Sequence, residues 1–211
     1  MGVYDEQPGF AIQPVTSEAY RADIEAVLPS LGHSKRVLEL GCGSGVFTQF
    51  LVSQGLAVVG VDRNESQLTE TRQRLPETTF LAGDFEATEF IEQVQSAHPP
   101  FDLIATRYVI HELSDPIETF RLWKHLLKPG GRLLLIENAW VRQDWGWSDW
   151  GKRTDHLPLA CTQTWATAAY CLQKAGFTVA ACSWMHHTNK LEEMRLLNGF
   201  RLYMIVADVQ L

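Results

Sequence analysis

Apolar positions along the chain follow two alternating rhythms. Val37–Leu40, Ala57–Val61, Thr78–Ala82, Phe101–Thr106 and Arg132–Glu137 are short, nearly unbroken apolar runs that read as buried strands. Amphipathic stretches lie between them. From Ser17 to Leu28, the residues Tyr20, Ile24, Val27 and Leu28 share one helix face, and Pro29 follows. Val46, Phe47, Phe50 and Leu51 repeat as a second helix face requires. Asn64 caps a third helix, Glu65 to Leu75, with Gln67 at the capping-box position. Asp115-Pro116-Ile117-Glu118 starts another with a cap, a proline in the first turn and a capping-box glutamate. Ile117, Phe120, Trp123 and Leu127 form its apolar side, and Lys128-Pro129-Gly130-Gly131 turns the chain into the fifth strand.

The rhythm changes in the C-terminal third. Asn138 to Cys161 has no clear period. Trp165, Ala168, Ala169, Leu172 and Ala175 mark a helix closed by Gly176 at C′, which places Trp165 in the core. Phe177–Trp184 and Arg201–Val209 are strand-like runs, joined by a connection with a short helix from Leu191 to Leu197. The expected fold is an α/β doubly wound, mostly parallel sheet with helices on both faces. Two final strands without a long crossover form an antiparallel pair at one edge.

With 211 residues the chain is expected to form one domain. Hydrophobic residues at 45% and charged residues at 20% exclude disorder and fibrous classes. Eighteen basic residues against 25 acidic ones give a net charge of −7, which argues against nucleic acid or anionic lipid as partner. Cys42, Cys161, Cys171 and Cys182 lack metal or redox spacing and read as cytosolic thiols. No signal peptide or membrane-spanning run is apparent, so a cytoplasmic location without membrane contact is expected. His186-His187 is not expected to share a metal, because neighbours on a strand face opposite ways. Seven tryptophans are an excess, and five of them fall between positions 140 and 165.

Gly41-Cys42-Gly43-Ser44-Gly45 sits between the first strand and the helix after it, where a tight turn brings backbone close to a ligand. A dinucleotide fingerprint would need glycine at position 46, which is Val46. A P-loop fails for want of Gly-Lys-Ser/Thr. Asp62 ends the second strand, 21 residues after Gly41, where a carboxylate can accept both hydroxyls of a ribose; capping the next helix is its other reading. Asp84 occupies the next carboxyl edge.

Val37-Leu38-Glu39-Leu40-Gly41-Cys42-Gly43-Ser44-Gly45, Gly60-Val61-Asp62, Gly83-Asp84-Phe85, Phe101-Asp102-Leu103-Ile104 and Leu127-Lys128-Pro129-Gly130-Gly131 resemble the ordered motifs of class I S-adenosylmethionine-dependent methyltransferases. The resemblance covers positions 35 to 137. It implies the strand order 3-2-1-4-5-7-6, with the seventh strand antiparallel, and S-adenosylmethionine as cofactor. It also implies a helical cap over 1–34, a cofactor-binding half over 35–137, and an acceptor-side segment with the last strands over 138–211. Gly41, Cys42, Gly43 and Gly45 would pass the methionine part of the cofactor, with Glu39 nearby. Asp62 would hold the ribose and Arg63 would lie along the adenine. Asp84, with Gly83 and the Phe85 backbone, would read the adenine ring, and Ala105 and Thr106 would meet the methionine amino end.

Methyl transfer needs a base only where the acceptor still carries a proton at neutral pH. His111, just past strand four, is the candidate base or acceptor contact; a structural histidine bonded to a carbonyl is the alternative. Arg107 and Tyr108 stand at the same mouth, where Arg107 suits a substrate carboxylate or an ion pair with Glu39 or Glu137. Asn138, placed just after strand five, is another mouth residue or a strand terminator. Trp140, Trp145, Trp147 and Trp150 follow, as a pocket cover or as packing elsewhere. The expected function is methyl transfer to an O, N or S nucleophile of a small molecule by a monomer or homodimer. The alternatives are non-methylating use of the same cofactor (ring closure or aminocarboxypropyl transfer) and a non-catalytic cofactor-binding subunit. Intact glycines and ribose acid argue against the last.

Overall fold

Apolar runs too short for helices find their backbone partners in one another, side by side and in parallel. The computed structural model describes residues 18–27, 36–141, 156–160, 162–191 and 201–209. Its strands are β1 (Arg36–Leu40), β2 (Ala57–Asp62), β3 (Thr79–Ala82), β4 (Phe101–Arg107), β5 (Leu127–Val141), β6 (Thr162–Gln163), β7 (Phe177–Trp184) and β8 (Arg201–Val209). The main sheet runs β3-β2-β1-β4-β5-β8-β7. β1 to β5 are parallel, whereas β8 is antiparallel to both β5 and β7. With the two-residue β6 set aside, this is the expected 3-2-1-4-5-7-6 order.

Helices α1 (Glu18–Val27), α2 (Val46–Ser53), α3 (Glu65–Arg74), α4 (Thr88–Ala97), α5 (Pro116–Lys124) and α6 (Trp165–Lys174) flank the sheet. On one face, Ile91 and Val94 of α4, Phe120 and Trp123 of α5, and Ala168 and Leu172 of α6 cover Leu38, Leu40, Ile104, Leu133 and Leu135. On the other, Tyr20 and Ile24 of α1 with Phe47, Phe50 and Leu51 of α2 cover Val37, Leu103, Ala105, Leu134 and Ile136. Consecutive strand residues therefore serve opposite cores, as a doubly covered parallel sheet requires.

Several expectations change. α4 was not anticipated: its polar sequence offers only Ile91 and Val94 as buried anchors. The Asn64 cap is real, since its side chain accepts the Gln67 N–H at 3.2 Å. The reciprocal half of a capping box is replaced, because the Asn64 N–H goes to Asp62 Oδ1 at 2.9 Å. Asp115 accepts the Glu118 N–H at 3.0 Å as expected, but α5 ends at Lys124 and Leu127 already belongs to β5. Trp165 is not core. It is 37% exposed and packs on Trp184 at 5.4 Å between ring centroids. β5 extends past Glu137 because β8 pairs with it as far as Ala139 and β6 pairs with Trp140 and Val141. The expected Leu191–Leu197 helix falls, beyond Leu191, outside the described residues. Among the described residues no helix is long and apolar enough to cross a membrane, and no histidine, cysteine or acidic group forms a metal cluster.

α1 is tied to the far end of the chain by a buried carboxylate. Asp23 accepts the N–H of His187 at 3.0 Å and of Thr188 at 2.7 Å. Removing it strands two donors of the turn Thr188–Lys190. Asp23→Ala is expected to cost about 1–3 kcal/mol in urea unfolding, with α1 losing its hold on the sheet.

Candidate functional site

The carboxyl edges of β1, β2, β3 and β4 carry the expected site residues. Gly41, Gly43 and Gly45 all have positive φ, at 73°, 50° and 72°. A side chain at Gly41 would run into Val109, and one at Gly45 into Thr71. Gly43 differs: a Cβ there would meet the Gln67 amide at 3.6 Å and Asp62 Oδ2 at 3.9 Å, ordinary van der Waals contact without a clash. The Gly43 N–H donates to Asp62 Oδ2 at 2.8 Å, and Gly41 and Cys42 both donate to the Val61 carbonyl. Asp62 thus holds the glycine loop and the start of α3 through one oxygen each, while a carboxylate has lone pairs for further donors. Cys42 is buried beneath Gly60, and burial pushes its thiol far above the usual range.

Next along the edge, Arg63 pairs with Glu86 at 3.1 Å and Asp84 at 3.4 Å, and its guanidinium sits 5.0 Å from the Phe85 ring centroid. The Phe85 ring is buried and its carbonyl accepts the Trp123 indole N–H at 2.9 Å. Gly83 leaves room for Phe90. Glu86 was not anticipated. It also accepts both the N–H and hydroxyl of Ser114, which joins the β3 edge to the start of α5. No sequence signal separates it from the surface acids.

Glu39 and Thr106 lie on opposite faces of the sheet. Glu39 is buried and accepts the Thr48 hydroxyl of α2 at 2.5 Å. Burial pushes its carboxyl up to about 8; the Thr48 hydroxyl and Arg107 pull it back, and Asp62 adds to the rise. Arg107 and Tyr20 complete this group: burial drives the Tyr20 hydroxyl far up, with Arg107 opposing and Tyr108, Glu39 and Asp23 adding. Arg107 is near enough to Glu39 to lower the pKa of its carboxyl. Its guanidinium also lies 4.7 Å from the Tyr108 ring centroid. Tyr108 has φ 60°, which among the described residues no other non-glycine shares in sign.

On the opposite face, Thr106 pairs across from Leu40, one residue before the glycine loop. Its buried hydroxyl has no hydrogen-bond partner. Glu137 is fully buried and accepts the N–H groups of Val109 at 2.8 Å and Ile110 at 3.0 Å, and the Gln163 side-chain amide at 3.0 Å. Nδ1 of His111, itself buried, lies 3.5 Å from Glu137 Oε2. Gln163 also donates to the Tyr203 hydroxyl at 3.2 Å. Burial, with Glu137 adding, raises Glu112 to about 7. Gln163 and Tyr203 were not foreseen, although an acid closing the apolar run Leu133–Ile136 was a visible signal for Glu137.

Asn138 is inside β5 rather than after it. It pairs with Leu202 of β8, is buried, and its Oδ1 lacks a partner. The backbone of Trp140 pairs with Gln163. Trp145, Trp147 and Trp150 lie outside the described residues, so the expected tryptophan cover does too.

Glu39 generates a pH dependence. The folded protein keeps a proton on Glu39 that the unfolded chain releases above its ordinary pKa of 4.5. Stability is therefore lost as pH rises from that value through about 8. Glu39→Gln keeps an acceptor for Thr48 and removes the titration. Thermal melts at pH about 5 and about 9 should show the variant gaining stability over the parent on the alkaline side.

The cofactor implied by the motifs can be tested against this donor set. An orphaned hydroxyl at Thr106, a glycine loop with positive φ at Gly41, Gly43 and Gly45, and a carboxylate at Asp62 suit an amino acid joined to a ribose. The residues fit S-adenosylmethionine.

Comparison with known proteins agrees. A family model described as a methyltransferase domain matches residues 14–181. A ubiquinone biosynthesis O-methyltransferase of Pseudomonas aeruginosa is 28% identical over 101 residues, covering 48% of this chain and 43% of that protein. The chain thus matches less than half the length of such relatives. An uncharacterised methyltransferase of Synechocystis is 29% identical over 157 residues, covering 71% of this chain and 70% of the relative. A methyltransferase structure from Mesorhizobium loti superposes with a TM-score of 0.65 at 22% identity, over 92% of this chain and 99% of that one. The chain belongs to the methyltransferase domain family, within the class I S-adenosylmethionine-dependent superfamily.

Proposed function

We propose that this protein is an S-adenosylmethionine-dependent methyltransferase that methylates a hydroxyl group of a small molecule. The observation that carries the reading is the glycine loop with its three positive φ angles, with Asp62 bound to it and the unpartnered Thr106 hydroxyl at the neighbouring strand. Asp62 holds the ribose, Arg63 and Asp84 with the Phe85 backbone border the adenine, and Thr106 meets the charged end of the methionine. Bound S-adenosylmethionine supplies a methyl group already activated on a sulfonium. The chain's own task is to align the acceptor, exclude water and receive a proton.

His111 is the proton acceptor in this reading. A hydroxyl acceptor, which keeps its proton at neutral pH, makes use of such a base. The ubiquinone biosynthesis relatives, which are O-methyltransferases by name, support the same choice. Arg107, Tyr108 and Asn138 form the acceptor side, with Trp140 and Trp145 in its cover. The protein works in the cytoplasm as one catalytic unit over 1–211, as a monomer or homodimer, without nucleic acid or membrane as partner.

Calorimetry tests the reading directly. S-adenosylmethionine and its demethylated product are expected to bind, and absence of binding by both would sink it. Asp62→Ala should weaken that binding at least tenfold, equivalent to about 1.4 kcal/mol. A melting curve alongside separates lost affinity from a loosened loop, and unchanged affinity removes Asp62 from the site.

A further inference from the structure

A fully buried carboxylate is costly unless several donors converge on it. Glu137 has them from three directions. The turn after β4 gives the Val109 and Ile110 N–H groups to Oε1, and β6 gives the Gln163 amide to Oε2. Oε2 also faces His111 Nδ1 at 3.5 Å. Tyr203, opposite Glu137 on β8, holds Gln163 through its hydroxyl. The titratable groups around the carboxylate are thus His111, Glu112 and Tyr108 from the turn and Tyr203 from β8.

We infer that Glu137 is a positioning residue that keeps the His111 proton on Nδ1, leaving Nε2 as the base for the acceptor hydroxyl. This rests on the methyl-transfer reading above. Both oxygens of Glu137 already act as acceptors, so their proximity favours a proton on the nitrogen facing them. Closing 3.5 Å to hydrogen-bond length needs a shift of a few tenths of an ångström, and such contacts commonly tighten when substrate binds. Free histidine in water prefers its neutral proton on Nε2, which would leave no lone pair there. The carboxylate reverses that preference, as the acid of a hydrolase triad does.

The proton balance is simple. The acceptor O–H proton moves to Nε2 while the oxygen bonds to the methyl carbon, and the electron pair of the broken carbon–sulfur bond stays on sulfur. The imidazolium formed lies beside Glu137 and afterwards yields its proton to water.

Gln163 explains why the carboxylate points correctly. Its Nε2 bridges Glu137 and Tyr203, and its buried Oε1 is left without a partner. An amide in place of Glu137 would keep its oxygen on the two backbone donors and present its NH₂ to His111. Gln163 can then turn its unused oxygen to that NH₂, so the exchange is tolerated locally.

The test is the tautomer of His111 in the ligand-free protein, read by long-range proton–nitrogen correlation with ¹⁵N-histidine at pH about 9, where imidazole is neutral. His111→Asn identifies the resonance by its loss. The parent is expected to show Nδ1–H and Glu137→Gln to show Nε2–H. Nε2–H in the parent, or Nδ1–H retained in Glu137→Gln, would overturn the inference. If Glu137→Gln fails to fold, the parent spectrum decides alone. Cofactor calorimetry is independent of this readout, so failure of the positioning role and failure of the methyltransferase reading are told apart.

Discussion

One buried charge holds the two halves of this molecule together. Glu137 has no exposed surface, and its donors come from the turn after β4 and from β6, with β8 behind them. Such a group is stable only when all its donors are in place, so each of these elements depends on the others. The consequence reaches the glycine loop. Two N–H bonds hold the turn at Val109 and Ile110, and the Val109 side chain occupies the space that a Cβ at Gly41 would need. The glycine loop and the turn that carries His111 are therefore packed as one piece.

The two buried acids of the site are provided for differently. Glu137 meets three N–H donors, whereas the hydrogen bond found at Glu39 is the single hydroxyl of Thr48. With one donor, desolvation prevails at Glu39, and its carboxyl rises to about 8. The strained Tyr108, at φ 60°, stands between these regions. It reverses the chain after Arg107 so that the next two N–H groups reach Glu137.

Most of the sheet was legible from the chain itself. Runs such as Val37–Leu40 carry no polar side chain on either face except at Glu39, which announces both double burial and a site. The places of Gly41, Gly43, Asp62 and Asp84 at the strand ends were readable because they depend on backbone geometry and spacing. What stayed hidden depends on long-range pairing. Gln163 reaches Glu137 only because β6 folds back on β5, and no local pattern encodes a two-residue strand. α4 was missed although Phe90, Ile91 and Val94 fall at helical spacing, because its polar flanks and lack of a capping side chain read as a loop between Phe85 and Phe101. Trp165 misled for a related reason: it occupies the apolar side of α6 but lies at its first turn, where it covers Trp184 from outside.

The antiparallel β8 also bears on how the chain reaches this state. β5 receives one neighbour, β4, from residues just before it, but its other neighbour is made more than 60 residues further along. Until β8 inserts, Leu133 to Ile136 presents an open apolar strand edge to whatever lies nearby. Closing that gap requires a large loop to order before any ladder bond rewards it, which makes this step slow. β8 therefore does more than complete the strand order: its pairing from Arg132 to Ala139 covers the edge that β5 would otherwise expose.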